Sequence, residues 1–204
     1  LNPNGTQESS GDGDHLETGP ALTGNQVASA SGRLGSAATF PVGSDARLTT
    51  LSTPDLTMGY QDFTLSTWVY FDSVKSNRVI LAKGTGWNNF EYGLYLENNP
   101  ANIRFLVSNS GTITSNGGDY ARVDSTPIQA NRWYHIVATY STTENLVRLY
   151  LDGASQGAAY FLGGAYAGSS PLEVGSGQVF GNQALDGQID EVGIWKRGLT
   201  DEER

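Results

Sequence analysis

The sequence predicts an all-β fold, a sandwich of two antiparallel sheets, on three observations. Short runs of β-branched, aromatic and aliphatic residues recur from Ala37 to the C-terminal end, each separated from the next by Gly, Asn, Asp, Ser or Pro. Glycine supplies 26 of the 204 residues, nearly twice ordinary usage, while charged residues make up only 16% where about a quarter is usual. No segment sustains a helical period, because Gly, Asn or a β-branched run breaks every candidate. The length fits one large sandwich or two small domains, and nothing resembling a linker divides it.

Residues 1–31 are rich in Gly, Ser, Asn and Asp, a composition that by itself reads as disorder. Strands are expected at 38–40, 47–51, 63–71, 78–83, 91–97 and 102–108, then at 133–140, 147–151, 172–174 and 187–196. Alternation is cleanest in VRLYL, where Val147, Leu149 and Leu151 share one face. The last strand opens at the Asp186-Gly187 turn and carries Ile189, Val192, Ile194 and Trp195. After it, Thr200-Asp201-Glu202-Glu203 has the capping-box form of a helix start, so a chain ending one residue later is expected to be a piece of a longer protein. The expected core is Phe40, Phe63, Leu65, Trp68, Ile80, Leu94, Phe105, Trp133, Ile136, Ala138, Leu149, Leu151, Val174, Ile189, Val192 and Ile194. Residues 111–128 and 153–171 read as long, turn-rich loops, and no internal repeat is visible.

Charge narrows the partners. A net charge of −9 with twelve scattered basic residues argues against nucleic acid, whose phosphates need clustered Lys and Arg. No apolar run approaches the ~20 residues needed to span a bilayer, so membrane insertion is not expected. The first residues, LNPNGTQESS, lack the charged-then-apolar form of a signal sequence, and a start at Leu implies that any targeting segment has been removed. Without cysteine there is neither a disulfide framework nor a thiolate zinc site.

The segments GRLGSAATF (32–40), FTLSTWVYF (63–71), RWYHIVATYS (132–141), VRLYLDG (147–153), LEVGS (172–176) and LDGQIDEVGIWKRGLTDEER (185–204) occur in one order and spacing. Together they resemble the laminin-G-like domains of the concanavalin A-like lectin/glucanase superfamily, in particular the stand-alone bacterial and viral type. The resemblance implies a concanavalin A-like jelly-roll β-sandwich over 1–204, with the polar segment 1–31 packed along its edge. It also implies one structural calcium ion, held in related proteins by a last-strand Asp with carbonyls from the N-terminal segment and from a Gly before an early strand. Here that pattern falls on Asp190, Gly35 and the stretch around Asp14. Asp190 is independently conspicuous. A carboxylate between Ile189 and Val192 must be exposed by a bulge, bonded to backbone amides, or bound to a cation. An EF-hand is excluded, since SGDGDHLETG has no bidentate Glu at the twelfth position and no following helix.

Catalysis is not expected. The E-x-D-x-x-E run of the superfamily's glucanases is absent. Glu91 and Glu97 share a face but lie six residues apart, about 20 Å, whereas a retaining pair sits about 5–5.5 Å apart. His135 lies inside WYHIVATY, where a packed, hydrogen-bonded role is expected, and neither a G-x-S-x-G elbow nor a phosphate loop occurs.

The expected function is a non-catalytic carbohydrate-binding or adhesion module of a larger extracellular, cell-surface or virion protein. The alternative is a structural or protein-interaction domain that meets other subunits of a larger assembly. A pyranose offers apolar C–H faces to a ring and hydroxyls to amides and carboxylates. Aromatic and polar residues on the glycine-rich connections meet that need, and the candidate ligand-binding residues are Trp87, Asn89, Tyr120, Arg122 and Tyr166. A charged glycan would have to reach Arg122, Arg104 or Lys83 against the overall negative field.

Overall fold

The computed structural model describes residues 17–18, 27–97, 100–114 and 118–204. Fourteen strands are present among them: β1 (Glu17–Thr18), β2 (Ala28–Ser31), β3 (Ser36–Phe40), β4 (Leu48–Thr50), β5 (Phe63–Phe71), β6 (Arg78–Gly86), β7 (Asn89–Glu97), β8 (Asn102–Ser108), β9 (Tyr120–Asp124), β10 (Trp133–Ser141), β11 (Leu146–Leu151), β12 (Ala154–Tyr160), β13 (Leu172–Val174) and β14 (Gly187–Trp195). They form two antiparallel seven-stranded sheets, ordered β1-β4-β13-β6-β7-β8-β9 and β12-β11-β10-β5-β14-β3-β2. The molecule is a jelly-roll β-sandwich.

Period-two patterning fixes which side chains fill the space between the sheets. Along β5, Phe63, Leu65, Val69 and Phe71 are fully buried, and Phe63 meets Tyr92, Phe105 and Tyr140 at centroid separations of 5.5, 6.3 and 5.8 Å. A second, smaller apolar cluster of Val79, Ala82, Phe90, Tyr95, Leu106, Ile113 and Val179 lies apart from this core. A single 3-10 turn, Gln178–Phe180, supplies Val179 to it.

Several expectations need correction. Trp68 and Trp133 are only half-buried and lie outside the core, because each sits at the wrong parity in its strand. Trp68 falls between the inward Leu65 and Val69 on the opposite face, where it stacks on His135 at 4.9 Å. Val192 and Ile194 are likewise only partly buried, because a bulge between Asp190 and Gly193 breaks the alternation of β14. The loops expected at 111–128 and 153–171 contain β9 and β12. β12 pairs only with β11 at the sheet edge and carries no large apolar residue before Tyr160, so its register rests on the Asp152-Gly153 turn, with φ of 51° and 79°. Residues 200–203 form a turn and not a helix, although the Thr200 N–H donates to Glu203 Oε2 at 2.9 Å as half of a capping box.

Candidate functional site

An open cleft of about 630 Å³ lies where the β5–β6 connection faces the β6–β7 hairpin and the 3-10 turn. Val74, Lys75, Ser76 and Asn77 form one side, with Arg78 at the start of β6. Trp87, Phe180 and Gln183 form the other. Gly86 pairs with Asn89, so Trp87 and Asn88 occupy the hairpin tip, and the indole is 50% exposed. It meets Phe180 in a T-shaped contact at 5.7 Å and 74°, and Phe180 rests in turn on Tyr95 at 4.8 Å. Thus an exposed indole stands on a packed aromatic support.

Buried Glu173 holds the 3-10 turn in place. It accepts the Gln178 N–H at 2.8 Å and pairs with Arg47 at 3.2 Å, and burial raises its carboxyl above the usual range. On the opposite side, Arg78 donates from Nη1 to Gln183 Oε1, while its buried Nε has no acceptor among the described residues. Burial lowers the Arg78 guanidinium and the Asp186 charge opposes that shift. Lys75 lies 3.7 Å from Asp186 and its side chain stays half-exposed.

Of the five sequence-predicted ligand residues, four lie outside the described lining of this cleft. Trp87 alone lines the cleft. Asn89 opens β7 and donates to Thr85 Oγ1 at 3.1 Å. Tyr120 and Arg122 are outward positions of β9, corrected from the loop assignment, where Ala121 and Val123 point inward. Tyr120 packs against the smaller apolar cluster and Arg122 is exposed. Tyr166 lies on the β12–β13 connection, its N–H donating to Ser108 O at 2.6 Å and its ring packed over Gly111 and Gly168. Lys75, Arg78, Phe180 and Gln183 were missed. The two cations flank a Ser-Asn turn before β6, and Phe180-Gly181 ends a short apolar run, weak signals that only tertiary structure joins.

Two of the three cations named for a charged glycan are committed elsewhere. Lys83 is buried against Glu91 and also donates to Gly168 O at 3.3 Å. Arg104 makes a fork with Asp124, which raises it above the usual arginine range, and a 2.9 Å contact to Glu97. Glu91 is displaced by burial to about 7, against the opposing pull of Lys83, and its Oε2 has no hydrogen-bond partner among the described residues. His135 Nε2 lies 3.0 Å from Ser66 Oγ, and burial lowers its imidazole.

Asp190 is fully buried, and among the described residues it pairs with no Lys, Arg or His side chain. Its Oδ2 accepts the Leu34 N–H at 2.9 Å and its Oδ1 the Glu191 N–H at 3.0 Å. The Gly35 carbonyl closes the adjacent turn by accepting the Gly32 N–H at 3.0 Å. A Cβ on Gly32 would stand 2.4 Å from Oδ2, so only glycine leaves room for the carboxylate here. A buried carboxyl side chain that meets no cationic side chain among the described residues is of the oxygen type calcium takes. Asp14 lies outside the described residues. No group of three or more His, Cys, Asp or Glu among the described residues could hold a metal ion, so any such ion here would depend on backbone oxygens.

With the sandwich and cleft in hand, the chain matches the laminin G family model of the concanavalin A-like lectin/glucanases superfamily over residues 43–203 and belongs to that family. It is similar to the mouse pentraxin-related protein PTX3, 25% identical over 158 residues, which covers 72% of this chain and 38% of that protein. Among solved structures, the binding domain of Paraclostridial Mosquitocidal Protein 1 superposes with a TM-score of 0.76 at 15% identity, covering all of this chain and 49% of that one. Domain 4 of AbnA, an extracellular arabinanase of Geobacillus stearothermophilus solved with arabinotriose, gives 0.68 at 16% identity, covering 98% and 91%. A carbohydrate-binding protein candidate from Bacteroides ovatus gives 0.60 at 18%, covering 82% and 45%. The chain therefore spans less than half of the pentraxin-related protein and about half of the mosquitocidal binding domain. No helix among the described residues is long and apolar enough to cross a membrane.

Proposed function

We propose that this chain is a non-catalytic glycan-binding module of a larger extracellular or surface protein, with Trp87 as the stacking platform of its site. The observation that carries the reading is the half-exposed Trp87 indole, packed against Phe180 in a cleft whose polar side chains are amides, a hydroxyl and two cations. The cleft volume falls in the ~300–1,000 Å³ range of small-ligand sites. AbnA domain 4, of the same fold, was solved with arabinotriose, which supports a sugar as the ligand class. An open site of this kind binds weakly, and several copies on one assembly supply avidity. Affinity electrophoresis through gels containing polysaccharides tests the reading: retardation of wild type and its loss in Trp87→Ala support it, and equal mobility of both in every gel refutes it.

We propose in addition that Asp190 holds a structural calcium ion together with backbone oxygens near Gly35 and, from the N-terminal segment, near Asp14. The support is the buried carboxyl side chain that meets no cationic side chain among the described residues. Calcium would supply the missing positive charge and tie the N-terminal segment to β14.

A further inference from the structure

The cleft contains a charge imbalance that the chain as a whole reverses. The protein carries a net charge of −9, yet among the described residues no carboxylate lines the cleft, and both ionisable residues that do are cations, Lys75 and Arg78. Asp186 sits 3.7 Å from Lys75, mostly buried and engaged by Ser73 Oγ, and its charge acts on Arg78 as well, so it offsets both cations in part without itself lining the cleft. Asp45 borders a separate depression on the far side of Arg78 and Gln183. Gln183 holds Arg78 in position by accepting from its Nη1. A guanidinium that lines the cleft beside a half-exposed ammonium and a half-exposed indole matches a sugar ring substituted with an anionic group. Guanidinium forks favour planar oxyanions, and low-dielectric walls concentrate the field of the cations against the outer negative potential.

We propose that the Trp87 cleft selects anionic glycans, its indole stacking on a pyranose face while Arg78 and Lys75 bind a carboxylate or sulfate on that sugar. This rests on the glycan-binding reading above and narrows it to a ligand class. Carboxylate and sulfate share the same oxyanion chemistry, and the test separates them.

Binding of wild type, Lys75→Gln, Arg78→Gln and Trp87→Ala is measured by isothermal titration against polygalacturonate, chondroitin sulfate and neutral arabinan, at about 50 and 300 mM salt. The expected result is that wild type prefers one or both anionic polymers over arabinan by about tenfold or more, and loses that preference at high salt. Lys75→Gln and Arg78→Gln each weaken anionic binding several-fold and leave arabinan binding within about twofold. Lys75 is half-exposed, so its variant folds even if Arg78→Gln does not. Arabinan bound as tightly as the anionic polymers, indifferent to salt and to Lys75→Gln but lost in Trp87→Ala, overturns the anionic preference and leaves the glycan site standing. Binding to none of the three, or binding that survives Trp87→Ala, overturns both.

Discussion

Lys83 Nζ donates to Glu91 Oε1 with both side chains fully shielded from solvent, beneath the carbonyl of Gly168. The pair clamps the β12–β13 connection onto the first sheet.

The clamp makes stability depend on pH. Burial displaces Glu91 from 4.5 to about 7, so the folded state holds this proton more tightly than the unfolded chain does. The contribution of Glu91 is therefore fully present below 4.5 and declines as pH rises towards 7. Urea titrations between these limits should show wild type losing up to about 1 kcal/mol per pH unit relative to Glu91→Gln, which has no carboxyl to titrate there. Parallel pH profiles of the two proteins would mean that Lys83 already holds Glu91 ionised throughout.

Asp190 gives a metal test. If calcium binds only the folded chain, saturation at about 100 times Kd stabilises it by about 2.7 kcal/mol. Chelation should lower the melting temperature of wild type and leave that of Asp190→Asn unchanged. Gly32→Ala should behave like Asp190→Asn, because its Cβ would stand 2.4 Å from Asp190 Oδ2 and push the carboxyl group out of place. Identical wild-type melting with and without chelator contradicts the proposal and leaves Asp190 as an acceptor of the Leu34 and Glu191 amides alone.

Core and surface aromatics should separate cleanly by truncation. Phe63→Ala removes a fully buried ring that meets three others and should cost about 3–5 kcal/mol in denaturant midpoint analysis. Trp133→Ala removes a half-buried ring whose described aromatic neighbour is Tyr70 at 5.6 Å, and it should cost clearly less. A larger loss at Trp133 than at Phe63 would reverse the inward and outward faces assigned to β5 and β10.

The strands most legible in the sequence were those with apolar residues facing the core. β5, β8 and β13 have the bounds the alternation predicts, because burial on one face writes itself as period two. β12 was illegible for the converse reason: ASQGAAY buries nothing large, and an edge strand can rest on backbone pairing alone. β9 did alternate, with Ala121 and Val123 inward, but its apolar residues are too small to stand out between Asp119 and Asp124. Trp68 and Trp133 were placed in the core on hydrophobicity, although counting parity from Leu65 and Ile136 puts both on the outer face. At the site, Trp87 beside Asn88 and Asn89 was visible as an aromatic next to amides. Its partners were not, since Arg78, Phe180 and Gln183 come from segments about 100 residues apart in sequence, and only the closure of the sandwich brings them together.

The central claim, a glycan held against Trp87, is tested most directly by the indole N–H resonance of Trp87, assigned by its absence in Trp87→Phe and followed as a polysaccharide-derived oligosaccharide is titrated into the folded protein. The account predicts a saturable shift of this resonance, with those of Trp68, Trp133 and Trp195 on the other sheet unmoved. Saturable movement of those three with Trp87 unmoved would contradict it and place the sugar on the opposite face of the sandwich.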